Sequence, residues 1–355
     1  MPATPTGIHH VTAVASDPQR NADFYRAVLG LRLVKTTVNF DAPDTYHLYY
    51  GDEGGLPGSL ITFFPWPGAP RGRLGTGQVT TTSFSVPEGS LGWWHDRLVR
   101  RDIDVAWVTE RAEESALALR DPDGLLIELV AHRHAEDRRA PWEQGPVPGE
   151  HSVRGLYSVT MTEADDGATV DLLTNTLGFR LLDEYGDRSR FTVADGGPGE
   201  VVDVLRRPRD PRGLVAAGTV HHIAWRTPDD DEQQAWRQEL TEQGVDVTPI
   251  RDRQYFRSIY FREPGGVLLE IATDAPGFTA DEPLLELGRH LKLPPWLEPD
   301  REQIRQVLPE LELPDFDTEP DFDTEPAEPD EPGEPDEPGE LGEPGSVASD
   351  GGAVR

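Results

Sequence analysis

The sequence contains no cysteine among its 355 residues. Disulfides, thiolate metal sites and cysteine nucleophiles are therefore excluded, and any metal ion must be bound by histidine, aspartate, glutamate or water. The sequence also has no apolar run near the roughly 20 residues that a membrane-spanning helix needs. Its first residues, MPATPTG, lack the basic and then apolar layout of a signal peptide. We therefore expect a soluble, cytoplasmic protein without a membrane partner.

Basic residues are scarce, since 33 lysines and arginines stand against 65 acidic residues and the formal net charge is -32. Such a protein would repel a phosphate backbone, so we expect no nucleic-acid partner. Only Lys35 and Lys292 are lysines. An acidic chain that uses arginine instead of lysine suggests the high-salt cytoplasm of a halophilic host, and full activity without molar salt would argue against this hypothesis.

The C-terminal end of the chain is short of apolar residues. It repeats Glu-Pro and Asp-Glu-Pro-Gly, and such a segment cannot bury enough apolar surface to offset the entropy lost on ordering. We predict a disordered acidic tail over 311–355, preceded by a C-terminal extension over 275–310.

The remaining chain contains an internal repeat. Residues 123–128 (DGLLIE) align with residues 265–270 (GGVLLE), and the segment that begins at His9 aligns with the one that begins at Tyr157. The clearest copy contains a predicted strand, a helix and three further strands, at 220–225, 229–243, 245–250, 257–262 and 267–273. The repeats predict an α+β fold of four βαβββ modules, at roughly 7–67, 78–133, 152–207 and 218–274. These modules form two predicted halves, 7–133 and 152–274.

Equivalent positions of the modules show where a metal could bind. The first strand carries His9 and His10 in module one and His221 and His222 in module four, whereas modules two and three have no histidine there. The last strand of module four adds Glu270. Two histidines and one carboxylate are typical of a non-haem iron site with open positions. This interpretation requires modules one and four to share the metal site, which leaves modules two and three as a metal-free pair.

Two observations limit this interpretation. Glu128 occupies the same place in module two as Glu270 does in module four, although the first strand of module two has no histidine, so the carboxylate alone does not indicate a site. Successive side chains of a strand also point to opposite faces. Only one histidine of each pair would then face the metal, and the spacing leaves open which one.

Longer motifs add a family resemblance. They are GIHHVT, FYRAVLGLRLVKTTVNFD, YHLYYGDEGGLPGSLITFFPWP, GSLGWWHDRL, HHIAW and RDRQYFRSIYFREPGGVLLEIATDAPGF. Together they resemble the vicinal oxygen chelate superfamily and, within it, the hydroquinone-type ring-cleaving dioxygenases, from about residue 7 to 290. The resemblance implies two cup-shaped half-barrel domains. It also implies that the second histidine of each pair is the ligand, so that His10, His222 and Glu270 bind Fe(II), with Mn(II) as the alternative.

The resemblance further implies that five side chains lie near the substrate: Tyr260, Arg253, His9, His221 and Thr12. Thr12 is two residues from His10 and therefore shares its face of the strand. Alternation points His9 and His221 away from their neighbours unless the strand is distorted.

The implied activity is the opening of a hydroquinone- or catechol-type ring with dioxygen by an Fe(II) enzyme of extradiol type. The partners would be a small aromatic substrate and O2, with a homo-oligomer left open. Two alternatives remain, a glyoxalase-like isomerase that uses Zn or Ni and a protein that binds an aromatic compound without reaction.

Overall fold

Two eight-stranded curled sheets carry the fold. The computed structural model describes residues 2–108, 114–132, 139–140 and 142–313. The strands of the N-terminal half are β1 (Ile8–Ala15), β2 (Arg32–Asn39), β3 (Ala42–Gly51), β4 (Leu60–Pro65), β5 (Gln78–Pro87), β6 (Val105–Val108), β7 (Ser115–Arg120) and β8 (Leu126–His132). Those of the C-terminal half are β9 (Leu156–Glu163), β10 (Arg180–Tyr185), β11 (Arg188–Thr192), β12 (Val201–Arg206), β13 (Thr219–Thr227), β14 (Arg251–Asp252), β15 (Arg257–Arg262) and β16 (Leu268–Thr273).

The helices are short. They are α1 (Pro18–Asp23), α2 (Leu91–Val99), α3 (Gly167–Asp171), α4 (Asp230–Glu242) and α5 (Arg301–Val307), with π-helical turns at Phe24–Val28 and Leu172–Thr176 after α1 and α3. The longest, α4, begins where the Asp229 side chain accepts a hydrogen bond from the Glu232 N–H, and it buries Trp236 and Leu240 four residues apart. None of the helices in the described ranges is long and apolar enough to cross a membrane.

The order of the strands joins distant parts of the chain. One sheet has the order β14-β15-β16-β13-β1-β4-β3-β2, and the other has β10-β11-β12-β9-β5-β8-β7-β6. The first sheet thus combines strands of the predicted modules one and four, with β1 antiparallel to β13 at its centre. The α+β fold class is confirmed. The division into halves 7–133 and 152–274 follows chain order, whereas each sheet takes strands from both halves, and that domain division stays a prediction.

One predicted strand is not formed. Residues 245–250 make a single bridge, between Val247 and Phe261, and the first strand after α4 is the two-residue β14. Pro249 explains the difference, because a proline has no N–H to donate to a sheet ladder.

The C-terminal extension covers β2, an edge strand of the first sheet. The Lys292 N–H donates to the Thr36 carbonyl at 2.9 Å, and the Thr37 hydroxyl donates to the Lys292 carbonyl at 2.6 Å. The first of these hydrogen bonds pairs a backbone carbonyl of β2 that an exposed edge strand would leave unpaired. Most of the predicted disordered tail lies outside the described residues. Its first three residues, 311–313, are described, and there Gln19 is bonded to both the N–H and the carbonyl of Glu312.

Candidate metal centre

Three predicted ligands converge where β1, β13 and β16 lie side by side. His222 Nε2 is 2.9 Å and His10 Nε2 is 3.3 Å from the same carboxylate oxygen, Glu270 Oε2. The two Nε2 atoms are 3.3 Å from each other. All three side chains are buried. Among the described residues, this is the only group of three or more His, Asp or Glu side chains with ligand atoms close enough to hold one metal ion.

Two bulges explain why His9 and His221 also reach the site. The pairing of β1 with β13 skips a residue between Ile8 and His10, and it shifts again between Thr12 and Ala13, where His221 has no partner in the register. A bulge places an extra residue in one strand and redirects its side chain. The strand is therefore distorted at both histidine pairs, and neighbouring imidazoles lie together instead of on opposite faces.

The hydrogen bonds of His9 fix the orientation of the His10 imidazole. His9 Nε2 lies 3.2 Å from the Thr273 carbonyl oxygen, which can only accept, so Nε2 carries the hydrogen. Burial lowers the pKa of His9 well below its usual value, which favours the neutral ring. Its Nδ1 then accepts from His10 Nδ1, 2.9 Å away. His10 Nε2 is thereby the nitrogen that faces Glu270 and is the one left to bind a metal ion.

The same arrangement recurs at the second pair. His221 Nδ1 and His222 Nδ1 are 2.7 Å apart. Burial lowers the pKa of His222, and it lowers the pKa of His221 to about 3. Neutral imidazoles whose Nδ1 atoms are occupied present Nε2 as the metal-binding atom, and such outer hydrogen bonds orient metal-binding histidines.

A hydrogen bond fixes one oxygen of the Glu270 carboxylate. The Ser258 hydroxyl donates to its Oε1, whereas its buried Oε2 has no hydrogen-bond partner among the described residues. Oε2 thus faces His10 Nε2 across 3.3 Å. A carboxylate oxygen and an imidazole nitrogen at this separation attract each other only through a cation between them, which is either a proton or a metal ion. The donor set therefore fits a metal ion that accepts nitrogen and oxygen ligands with open positions, as non-haem iron does.

A cavity of about 410 Å³ opens in front of His10 and His222. This volume lies within the roughly 300–1,000 Å³ of small-molecule sites. Its lining residues are His10, Asn39, Phe40, Asp41, His47, Tyr49, Phe64, His221, His222, Thr248, Arg251, Arg253, Phe256, Tyr260 and Leu268. The predicted residues Tyr260, Arg253 and His221 thus share the cavity with the ligands, and His9 lies behind His10.

Tyr260 and Arg253 form a contact of their own. Arg253 Nε donates to the Tyr260 hydroxyl oxygen at 3.1 Å, and the Tyr260 ring lies edge to face against His222 with 5.7 Å between centroids. Burial, and then the Glu270 charge, raise the pKa of Tyr260, so its hydroxyl stays protonated. The hydroxyl can therefore donate a hydrogen bond into the cavity.

Thr12 reaches the cavity indirectly. Its hydroxyl is 2.8 Å from that of Thr62, which is 2.9 Å from His47 Nε2, while His47 Nδ1 is 2.8 Å from the Tyr49 hydroxyl. Burial lowers the pKa of His47 well below its usual value. Hydrogen bonds thus connect Thr12, through Thr62 and His47, to Tyr49, and these neutral side chains form one wall beside the cavity.

Sequence reasoning missed several of these residues. His47 and Tyr49 alternate with the buried Leu48 on β3, and this period-two pattern of polar side chains was the available signal. Ser258 has the same relation to Tyr260 on β15. Phe256, which packs against both His9 and His10 at centroid distances of 5.0 and 5.2 Å, has no comparable pattern.

Among the residues that the structure describes, the second sheet has no equivalent group of ligand side chains. There Glu128 accepts a hydrogen bond from the Ser83 hydroxyl at 3.0 Å. The buried Asp203 accepts from Arg188 and Arg190. These carboxylates are engaged by hydroxyl and guanidinium donors where the first sheet has imidazoles.

Comparisons with known proteins agree with this geometry. The sequence model of the Glyoxalase/Bleomycin resistance protein/Dioxygenase superfamily matches residues 7–129 and again 155–271. MhqO of Bacillus subtilis, provisionally named a ring-cleaving dioxygenase, is 46% identical over 311 residues, which cover 88% of this chain and 98% of MhqO. The chlorohydroquinone/hydroquinone 1,2-dioxygenase of Sphingobium indicum is 34% identical over 316 residues, 87% of this chain and 97% of that protein.

Solved structures extend the comparison to the fold. A crystal structure from B. subtilis, provisionally described as a dioxygenase, has a TM-score of 0.83 at 45% identity, over 87% of this chain and 98% of that chain. Glyoxalase I from Zea mays shares the fold at 14% identity, with a TM-score of 0.57 over 80% of this chain and 97% of that chain. The family predicted from the motifs is confirmed: the chain belongs to the Glyoxalase/Bleomycin resistance protein/Dioxygenase superfamily, alongside relatives named as ring-cleaving dioxygenases.

Proposed function

We propose that this protein is a metal-dependent dioxygenase that opens a hydroquinone- or catechol-type aromatic ring with O2. The observation that carries the proposal is the meeting of His10, His222 and Glu270 at the end of a cavity with aromatic walls. The relatives named as ring-cleaving dioxygenases support the same reaction class.

His10, His222 and Glu270 would hold the metal, which we propose to be Fe(II), with Mn(II) as the alternative. When bound, such an ion lowers the pKa of a coordinated phenol and offers adjacent open positions to the ring oxygen and to dioxygen. The neutral imidazoles and the carboxylate would leave a site with one net positive charge, which suits a phenolate ligand.

The cavity walls would orient the ring and exclude water. Phe64, Phe256 and Leu268 supply apolar surface, and Phe256 also packs on the ring of His10 at 5.2 Å between centroids. A flat aromatic substrate fits between such rings with favourable edge or face contacts. Removal of water also strengthens every hydrogen bond inside the site.

Polar residues would position the substrate oxygens and move protons. Tyr260 would donate its hydroxyl hydrogen to a ring oxygen, while Arg253 holds the Tyr260 oxygen from the other side. The neutral His221 is bonded to His222 through Nδ1, so its Nε2 is available as a proton carrier at the cavity. His9 and Thr12 would act by orienting His10 and the wall at Thr62.

The finer proposal concerns the bond that breaks. We assign an extradiol-type cleavage, beside a hydroxyl-bearing carbon, because two imidazoles and one carboxylate are a ligand set typical of non-haem iron, which would leave positions for the substrate and O2. A hydroquinone, whose hydroxyls are not adjacent, can be opened only beside one hydroxyl-bearing carbon. Mass and absorption spectra of the ring-opened product would identify the bond.

The test begins with anaerobic loading of the full chain with Fe(II), followed by oxygen-uptake measurements. Hydroquinone or catechol should each consume one O2 per ring opened, whereas a methylglyoxal-thiol adduct should give neither oxygen uptake nor isomerisation. Isomerisation of the adduct would favour a glyoxalase-like enzyme, and tight binding of the phenols without oxygen uptake would favour a binding protein. Elemental analysis of protein purified without added metal would distinguish iron from manganese.

A further inference from the structure

Asp41 stands at the mouth of the cavity, on the turn between β2 and β3. Its Oδ2 accepts a hydrogen bond from Arg253 Nη2 at 2.9 Å, and its Oδ1 lies 3.9 Å from Arg251 Nη1. Among the cavity-lining residues, Asp41 is the only carboxylate and the two arginines are the only guanidinium groups. One negative charge from the N-terminal half thus bridges two positive charges from the C-terminal half.

The ion pair determines how Arg253 is oriented. A guanidinium is planar, and its N–H donors have fixed directions. Asp41 accepts from Nη2 while Nε donates to the Tyr260 hydroxyl, and the Arg253 guanidinium carbon lies 5.3 Å from the centre of the Tyr260 ring. Because the Tyr260 oxygen accepts from Arg253, the Tyr260 hydrogen is directed elsewhere. The contact with Asp41 therefore acts through Arg253 on Tyr260.

The turn that carries Asp41 is itself held in place. The Asn39 side chain accepts a hydrogen bond from the Asp41 N–H at 3.0 Å. The neighbouring Phe40 ring packs edge to face on Trp296 of the C-terminal extension, with 5.7 Å between centroids. The carboxylate of Asp41 is thus presented to Arg253 by an anchored backbone although its side chain is 57% exposed.

We infer that Asp41 is a positioning and specificity-determining residue, which keeps Arg253 directed at Tyr260 and makes the cavity disfavour aromatic rings that carry a carboxylate. The inference rests on the proposed function. Of the two guanidinium groups at the entrance, Arg253 is already paired with Asp41, and Arg251 lies 3.9 Å from the same carboxylate. A ring carboxylate would therefore gain less from these cations and would also meet the negative charge of Asp41, whereas binding of an uncharged dihydroxylated ring is not affected by either charge effect. Selection against the anionic ring is therefore built into the entrance.

The test compares two probes, hydroquinone and its carboxylated analogue 2,5-dihydroxybenzoate. Their dissociation constants are measured by calorimetry on the anaerobic, Fe(II)-loaded full chain, and kcat and KM by oxygen uptake. In Asp41→Asn, binding of 2,5-dihydroxybenzoate relative to hydroquinone should improve by about tenfold, the size expected for one charge contact. The kcat with hydroquinone should fall several-fold in Asp41→Ala, which removes the acceptor of the Arg253 Nη2 hydrogen bond, and less in Asp41→Asn, whose amide oxygen can still accept it.

A matched control is Asp44→Asn, on β3. It removes the same charge from an exposed position close to the same turn, and the Asp44 contact described is with Thr45 rather than Arg253. Its ratio of dissociation constants should equal that of the wild type. In an Arg253→Met background, Asp41→Asn should change the ratio by clearly less than tenfold, because one of the two cations that Asp41 faces is gone and only Arg251 remains.

The outcomes separate the two proposals. An Asp41→Asn variant with the wild-type ratio, or one that weakens both probes equally, would overturn the specificity role. A wild-type protein that binds hydroquinone but consumes no oxygen would overturn the proposed function, while the calorimetric ratio would still decide the role of Asp41. An unchanged kcat in Asp41→Ala would overturn the positioning role alone.

Discussion

His9 donates its Nε2 hydrogen to the backbone carbonyl oxygen of Thr273 across 3.2 Å. This contact also determines the orientation of the neighbouring His10 ring. Because His9 Nε2 carries the hydrogen, His9 Nδ1 accepts a hydrogen bond from His10 Nδ1. His10 Nε2 is then the nitrogen that faces Glu270. The backbone of β16 thus selects the tautomer of a histidine on β1, and it does so from the same strand that supplies the carboxylate.

The His9 contact predicts an effect on metal affinity. His9→Phe keeps an aromatic ring against Phe256 but cannot accept from His10, so the affinity for Fe(II) or Mn(II) should fall by roughly 10- to 100-fold. Competition with a chromophoric chelator measures this. His9→Gln, which retains one donor and one acceptor, should recover part of the loss, and equal affinities of all three proteins would contradict the tautomer argument.

The repeat offers a matched pair of carboxylates for a second prediction. Glu270→Gln replaces an ionised ligand by a neutral amide of the same shape, and metal affinity should drop by more than the roughly 100-fold expected of an outer contact. Glu128→Gln makes the same change at the equivalent place in the other sheet and should keep wild-type affinity. Metal content after loading and dialysis checks both variants, and a metal-replete Glu270→Gln protein would remove Glu270 from the ligand set.

A third prediction concerns the only buried lysine. Lys35 Nζ is fully enclosed, lies 2.6 Å from Asp281 Oδ1 and is also paired with Glu282, so it attaches β2 to the C-terminal extension. Lys35→Met leaves those carboxylates without their cation and should lower the free energy of unfolding by roughly 3–5 kcal/mol. Urea unfolding measures the change. Lys292→Met, at the other lysine of the chain, should cost much less, and a similar loss in both variants would refute the role of the buried pair.

A fourth prediction follows from Glu163, at the end of β9. Burial, and then the nearby Glu263 carboxylate, raise the pKa of Glu163 to about 8. The unfolded chain would release this proton near pH 4.3, so between about pH 4.3 and 8 the folded state holds a proton that the unfolded state has lost. The free energy of unfolding should therefore fall as the pH rises through this window.

The Glu163→Gln variant isolates that effect. An amide cannot ionise, so the decline in unfolding free energy between pH 5 and 8 should be shallower than in the wild type, and the variant should be the more stable protein at pH 8. Glu88→Gln, at an exposed position, should follow the wild-type curve. Parallel curves for all three proteins would show that Glu163 is ionised in the fold at pH 7.

Local patterns predicted much of this molecule. The repeated succession of a strand, a helix and three strands could be read because alternation, helical spacing and glycine turns are properties of short segments. The histidine pairs and Glu270 stood out because only two of the four copies carry imidazoles. The strand predicted over 245–250 is not formed, because Pro249 has no N–H for a sheet ladder although its neighbours have the residue pattern of a strand.

The sequence by itself indicated a repeated α+β fold, excluded thiol ligands and identified the two histidine pairs and Glu270 as candidate metal ligands, because residue type and spacing are sufficient for these. Only the tertiary structure decided that both imidazoles of each pair turn to one side, since the two bulges exist only where β1 pairs with β13, more than 200 residues away. The same holds for His47, Ser258 and Asp41, whose neighbours come from other strands or from the other half of the chain. Their roles depend on contacts between segments, and no local pattern encodes such contacts.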